Sequence, residues 1–149
     1  MKNVVRVLLL LLVSSGLSLA QFPKNGGIPT FSPNGIWEAP SGTKYRLQRS
    51  GEELLVKLEG THPTYLEYEV KLKHLTVEET GGDPNRYEGT GFFRAKLKSG
   101  KECRFDTKWE IAVIADKTIV GKAPDYQAPD PETCKPKEVG EIRIELTKK

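Results

Sequence analysis

ECRFDTKWEIAV, residues 102–113, decides the fold class of this 149-residue chain. Cys103, Phe105, Thr107, Trp109, Ile111 and Val113 alternate with Glu102, Arg104, Asp106, Lys108 and Glu110. A strand turns successive side chains to opposite faces, so this pattern makes one largely apolar face and one charged face. A helix would scatter both sets around its circumference. The stretch predicts a half-buried antiparallel strand, and the chain on either side repeats its period.

Upstream, Tyr87, Gly89, Gly91, Phe93, Ala95 and Leu97 share one face, with Glu88, Thr90, Arg94 and Lys96 on the other. The two glycines predict a sharp bend, as at a barrel corner. Tyr45 and Leu47 alternate with Lys44, Arg46 and Gln48, and Leu54, Val56 and Leu58 do the same in 53–59; Ser50-Gly51-Glu52 forms the hairpin between them. Leu66, Tyr68, Val70 and Leu72 make a further strand. Leu75 and Val77 fall one position out of phase, which predicts a bulge near Lys73-His74. After the turn at Asp116-Lys117 come 118–121 and a last strand on Ile142, Ile144 and Leu146. No segment beyond the first twenty residues carries a helical stripe. Counting 35–39 as the first strand gives an all-β chain of about eight hairpin-linked strands, a number that closes into an up-and-down barrel. A two-sheet β-sandwich is the alternative that alternation leaves open.

Residues 1–20 read as a signal peptide: Lys2 and Arg6 lead into an apolar run over 7–13, and Ser18-Leu19-Ala20 supplies small residues ahead of Gln21. The run is shorter than the roughly 20 apolar residues of a membrane span. No cysteine follows it to take a lipid, so no membrane anchor is expected after cleavage. The expected location is secreted or periplasmic. Two of the 23 basic residues leave with the leader, so 21 face 20 acidic ones and the mature net charge is about +1. Charges of both signs are interspersed, which describes a solvated sheet face and argues against nucleic-acid binding. Residues 21–34, with Pro23, Pro29 and Pro33 around Gly26 and Gly27, read as a flexible arm. Residues 35–149 then form a single domain.

Residues 122–139 stand out for Pro124, Pro129, Pro131 and Pro136, and are expected to form a loop, because proline gives a ladder no N–H. Export permits a disulfide between the two cysteines, Cys103 and Cys134, which would staple this loop to the barrel wall. Closing such a span contributes roughly 3 to 4 kcal/mol on the chain-entropy account. Tyr126, at the loop's centre, is a candidate to gate the mouth or touch an envelope protein.

Catalysis finds little support. His62 lies beside Pro63 and His74 at a strand irregularity, and neither has a serine or cysteine set suggesting a nucleophilic triad. Two histidines and a paired cysteine couple do not give zinc a recognisable spacing, and Asp125, Asp130 and Glu132 lack the alternation of a calcium loop. A non-enzyme without cofactor or metal is expected.

Gly35-Ile36-Trp37, set just before the first strand of an eight-strand meander in an exported chain, resembles the Gly-x-Trp signature of the lipocalin and wider calycin group. The resemblance implies a barrel mouth that binds a small apolar molecule. It also implies that Trp37 closes one barrel end under a basic residue near the last strand, a role open to Arg143. The inward residues Tyr45, Tyr68, Phe93, Phe105 and Trp109 would then line a ligand cavity or fill a core. The alternative function is an envelope protein–protein interaction or inhibitor module working through 122–139. The exported protein is expected to begin at Gln21 with its cysteines joined. Intact-mass analysis checks this, and a retained leader or two free thiols would count against it.

Overall fold

The computed structural model describes residues 31–127, 130 and 132–149. Residues 1–30, which hold the expected leader and most of the expected arm, lie outside it. Eight antiparallel strands close into a barrel in sequence order: β1 (Gly35–Glu38), β2 (Lys44–Ser50), β3 (Glu53–Leu58), β4 (Tyr65–His74), β5 (Arg86–Lys96), β6 (Glu102–Ala115), β7 (Thr118–Gln127) and β8 (Lys137–Lys148). A closed barrel, not a sandwich, is therefore the architecture. Burial follows the period of two: along β6, Cys103, Phe105, Thr107, Trp109, Ile111 and Val113 are all buried. The outer face carries cross-strand ion pairs such as Arg46–Glu59, Lys57–Glu69 and Arg94–Glu67, exposed pairs of small energetic weight.

The two barrel ends differ. One holds the β2–β3 hairpin, the β4–β5 connection and the β6–β7 turn, and it is packed solid. Trp37, Leu54, Val56 and Ile119 are fully buried in the core, and Phe31 packs against the same cluster. Pro33 is buried too and accepts a 2.7 Å hydrogen bond from the Trp37 indole N–H. Asn34 Oδ1 accepts from the Arg49 amide at 2.7 Å. Residues 31–34 are thus packed against the barrel; the rest of the expected arm, 21–30, lies outside the described residues. The opposite end, with the β1–β2, β3–β4, β5–β6 and β7–β8 connections, is less filled.

Three local expectations are corrected. The β4 irregularity lies between Tyr65 and Glu67, not at Lys73-His74. It turns Leu66 outward, 41% exposed, and brings Tyr65 against the interior rings instead. Leu75 and Val77 do not rejoin the strand, because Val77–Thr80 is a single helical turn (α1). A capping box between Thr76 and Glu79 starts it, and left-handed Gly81 (φ 68°) ends it. Finally, 122–139 is not all loop. β7 runs on through Pro124, opposite Glu141, and β8 begins at Lys137. Pro124 is tolerated because the β6–β7 ladder has already ended at Glu110↔Lys122, so its missing N–H leaves no β6 bond unmade.

The glycines of β5 mark a close approach of two backbones. A Cβ at Gly89 or Gly91 would fall 1.9 and 2.0 Å from the carbonyl oxygens of Lys71 and Glu69. Both contacts are to β4 backbone, so no rotamer change relieves them. Gly91→Ala should cost about 2 to 4 kcal/mol, read as a lowered denaturation midpoint; a change under about 0.5 kcal/mol would contradict the packing.

Candidate functional site

The less filled end carries an aromatic cluster. β4 supplies Tyr65 and Tyr68, β5 Phe93, β6 Phe105 and Trp109, β2 Tyr45 and β7 Tyr126. Tyr68 stacks on Phe93 with ring centroids 5.5 Å apart, and Phe93 lies 5.0 Å from Phe105. Tyr45 meets Tyr68 at 5.4 Å and Trp109 at 5.6 Å, edge to face. Edge-to-face and offset contacts place ring edges against ring faces, the favourable arrangement of aromatic quadrupoles. The five inward residues expected from strand phase are therefore brought together.

The polar ends of Tyr68, Trp109 and Tyr126 are hydrogen-bonded. The Trp109 indole N–H donates to the Tyr68 hydroxyl at 2.9 Å, and Thr107, itself buried, also bonds that hydroxyl. Burial disfavours the phenolate, pushing the Tyr68 ionisation up to about 12, with the two hydrogen bonds working the other way. Tyr45 is raised further, first by burial and then by its neighbours Tyr68 and Tyr65.

Beside the cluster lie two empty lobes. The first, about 330 Å³, is walled by Tyr65, Tyr68, Phe93, Phe105, Tyr126 and Pro136. The second, about 250 Å³, lies between the β1–β2 turn and β8, with Tyr45 and Trp109 in its wall. Tyr65, Tyr68, Ala123 and Ile142 border both lobes. Ile142 is in phase with buried Ile144 and Leu146 yet 47% exposed, because the wall beside it is open. A larger depression of about 730 Å³ lies outside β5–β7. Its wall mixes Phe92, Pro124 and Tyr126 with ion-paired side chains, Lys122 to Glu110 and Glu141 and Lys108 to Glu110.

Other candidate residues fall elsewhere. Tyr126 sits in β7 and not in the loop. Its hydroxyl donates to the Asp106 carbonyl at 2.8 Å, and its ring is 6.4 Å from Phe93. Arg143 does not lie over Trp37: its side chain is exposed, 3.9 Å from Glu145. Lys148 takes that place, with Nζ 5.7 Å from the centre of the Trp37 ring and 3.3 Å from the Ser32 carbonyl. The outward phase of Arg143 follows from that of Ile142 and Ile144. Lys148 is reached because β1 and β8 pair at Trp37↔Lys148. Cys103 and Cys134 form a disulfide, Cα–Cα 5.4 Å. Asp130 positions Cys134. Its carboxylate accepts from the Glu132 and Thr133 amides at 2.8 Å, which holds its ionisation below the usual carboxylate range, and its carbonyl accepts from the Cys134 amide. Sequence reasoning missed Tyr65 and Ile142; an aromatic residue opening a strand was the one available sign of the first.

The histidines are committed to structure. His62 Nδ1 accepts the amides of Thr64 and Tyr65 at 3.1 and 3.0 Å, so the ring proton sits on Nε2, which faces Thr43 Oγ1 at 3.1 Å. In that tautomer Nε2 is a donor and takes no proton from Thr43. His74 Nε2 is bonded to the Pro84 carbonyl at 2.6 Å. Among the described residues, no group of three or more His, Cys, Asp or Glu is placed to hold a metal, and no helix is long and apolar enough to cross a membrane.

No family model matches this chain, and no curated protein or solved structure matches it either. The likeness to lipocalins therefore rests on architecture: an eight-stranded antiparallel closed barrel compatible with that fold.

The buried phenols make stability pH-dependent in a defined direction. Tyr68 holds its proton more tightly folded than unfolded, so its contribution is intact below about pH 10 and is lost as pH rises towards 12. Denaturation at pH 9 and 11.5 should show a fall, of which Tyr68→Phe removes roughly 2 kcal/mol. An equal fall in the variant would show that Tyr68 is not the group.

Proposed function

We propose that this is an exported binding protein that holds a small apolar ligand in the aromatic-walled lobes at the open end of its barrel. The observation that carries the reading is the contrast between the ends: one is packed with fully buried side chains, while the other keeps about 330 Å³ empty beside five aromatic rings. That volume lies at the lower edge of small-molecule sites, roughly 300 to 1,000 Å³, so the ligand is small or only partly enclosed. Rings supply apolar area at little entropic cost, and Thr107 with the tyrosine hydroxyls offers a few polar contacts to orient what enters.

Export is supported by the leader-like first twenty residues and by the disulfide, which fits an oxidising, non-cytoplasmic location. Binding without a chemical step is favoured over catalysis, since both histidines serve the backbone and the tyrosines are held neutral.

An apolar fluorescent probe tests the site. The folded protein should bind it at micromolar levels, about 8 kcal/mol. Ala123→Phe, whose new ring would occupy the space between the two lobes, should weaken binding at least about tenfold, a change of roughly 1.4 kcal/mol. No binding by the wild-type protein, or full binding by a folded Ala123→Phe, would refute the site.

A further inference from the structure

The lobes lie beneath the far half of the β7–β8 ribbon, residues 123–127 and 137–142, and that half is joined to the barrel in an unusual way. The β6–β7 ladder ends at Glu110↔Lys122, so over 102–109 β6 has no ladder partner on the β7 side among the described residues. On the other edge, β8 meets β1 at Trp37↔Lys148 and Glu38↔Thr147, near its very end. Between these points the ribbon pairs with itself. A two-stranded ribbon is marginal in water without a surface to pack on.

The ties that cross the gap to β6 include the Tyr126 hydroxyl on the Asp106 carbonyl and the Lys101 ammonium on the Glu132 carbonyl. Both are exposed hydrogen bonds that water can replace. The covalent tie is Cys103–Cys134. Cys103 is buried with Ala95 and Phe105, next to Phe93 and Tyr65, so the bond is anchored against residues that wall the cavity. Cys134 is more exposed, and its φ of 56° places a side-chain-bearing residue in the left-handed region, a strain the surrounding contacts must maintain.

We propose that this disulfide is a redox latch on the cavity: oxidised, it holds the ribbon across the lobes, and reduced, it lets the ribbon lift and the ligand leave. The inference rests on the binding reading above. The reductant is a dithiol. Its thiolate attacks Cys134 Sγ, the more accessible sulfur; the Sγ–Sγ bond breaks and its electron pair leaves on Cys103 Sγ, which takes up a proton. The second thiol of the reductant then attacks its own sulfur in the mixed disulfide. Cys134 leaves as a thiol and the reductant leaves as a disulfide. Two electrons and two protons pass from the dithiol to the protein. Re-oxidation by a disulfide of the same class reverses the step.

Amide hydrogen exchange by mass spectrometry, with and without dithiothreitol, reads the latch without any ligand. Reduction should raise exchange in 123–127 and 137–142 by about tenfold or more while 44–58 and 110–115 stay protected. The dissociation rate of the apolar probe should rise in parallel. The Cys103→Ser/Cys134→Ser double variant should behave like the reduced protein in both measurements. Unchanged ribbon exchange on reduction would overturn the latch. So would a loss of protection everywhere, which would make the bond a staple for the whole fold. Ribbon release with no probe bound in either state would instead overturn the binding reading, and the gate that depends on it.

Discussion

Pro124 has no amide hydrogen, and β7 reaches it two residues after its last pairing with β6 at Lys122. From there the ribbon diverges from β6, and the rest of the open end follows from that divergence. Had the ladder continued, β7 would pair with β6 beside Thr107, Phe105 and Cys103 and the barrel wall would be closed there. Instead β7 and β8 continue as a pair, bridged to β6 by the Tyr126–Asp106 hydrogen bond and the disulfide. The short β1 produces the same effect on the other side, because β8 extends well past the point where β1 pairs with it. Space appears where ladders stop.

The packed end is held by apolar burial. Its side chains are removed from water almost completely, each large aliphatic one contributing about 1.5 to 3 kcal/mol of transfer free energy, and they need no partner but one another. The aromatic end is different in kind. Tyr68, Trp109 and Thr107 are buried polar groups whose hydrogen bonds must all be made at once, so the cluster is rigid and specific where the core is merely dense. A rigid wall beside an unfilled volume is the arrangement that a binding site requires, since ordering costs are met on folding and not on binding.

The barrel end around Trp37 shows how a fold can keep a device while moving its parts. A tryptophan is buried at one end with a cation over it, as the Gly-x-Trp resemblance implies, but the cation is Lys148 and not Arg143. The exchange follows from register. Trp37 pairs with Lys148 across the seam that closes the barrel, and an ammonium reaching back along the strand can touch both the ring and the Ser32 carbonyl. Arg143 is five residues away on the opposite face of the same strand.

Alternation of residue type was enough to read the strands and the inward set Tyr45, Tyr68, Phe93, Phe105 and Trp109, because period-two patterning and burial are two descriptions of the same geometry, while the cysteine pair followed from two cysteines behind a leader-like segment. Tyr65 and Leu66 show where that legibility stops. A bulge changes which residues face inward without altering composition, and only the pairing of β4 with β5 reveals it. The prolines of 122–139 signalled that a ladder would fail, but not that it would fail on one edge while the other edge stayed paired. Whether an interior is filled or hollow was likewise beyond the sequence. Strand phase says which way a ring points, while the volume left beside it depends on how seven neighbouring strands, far apart along the chain, curve around it.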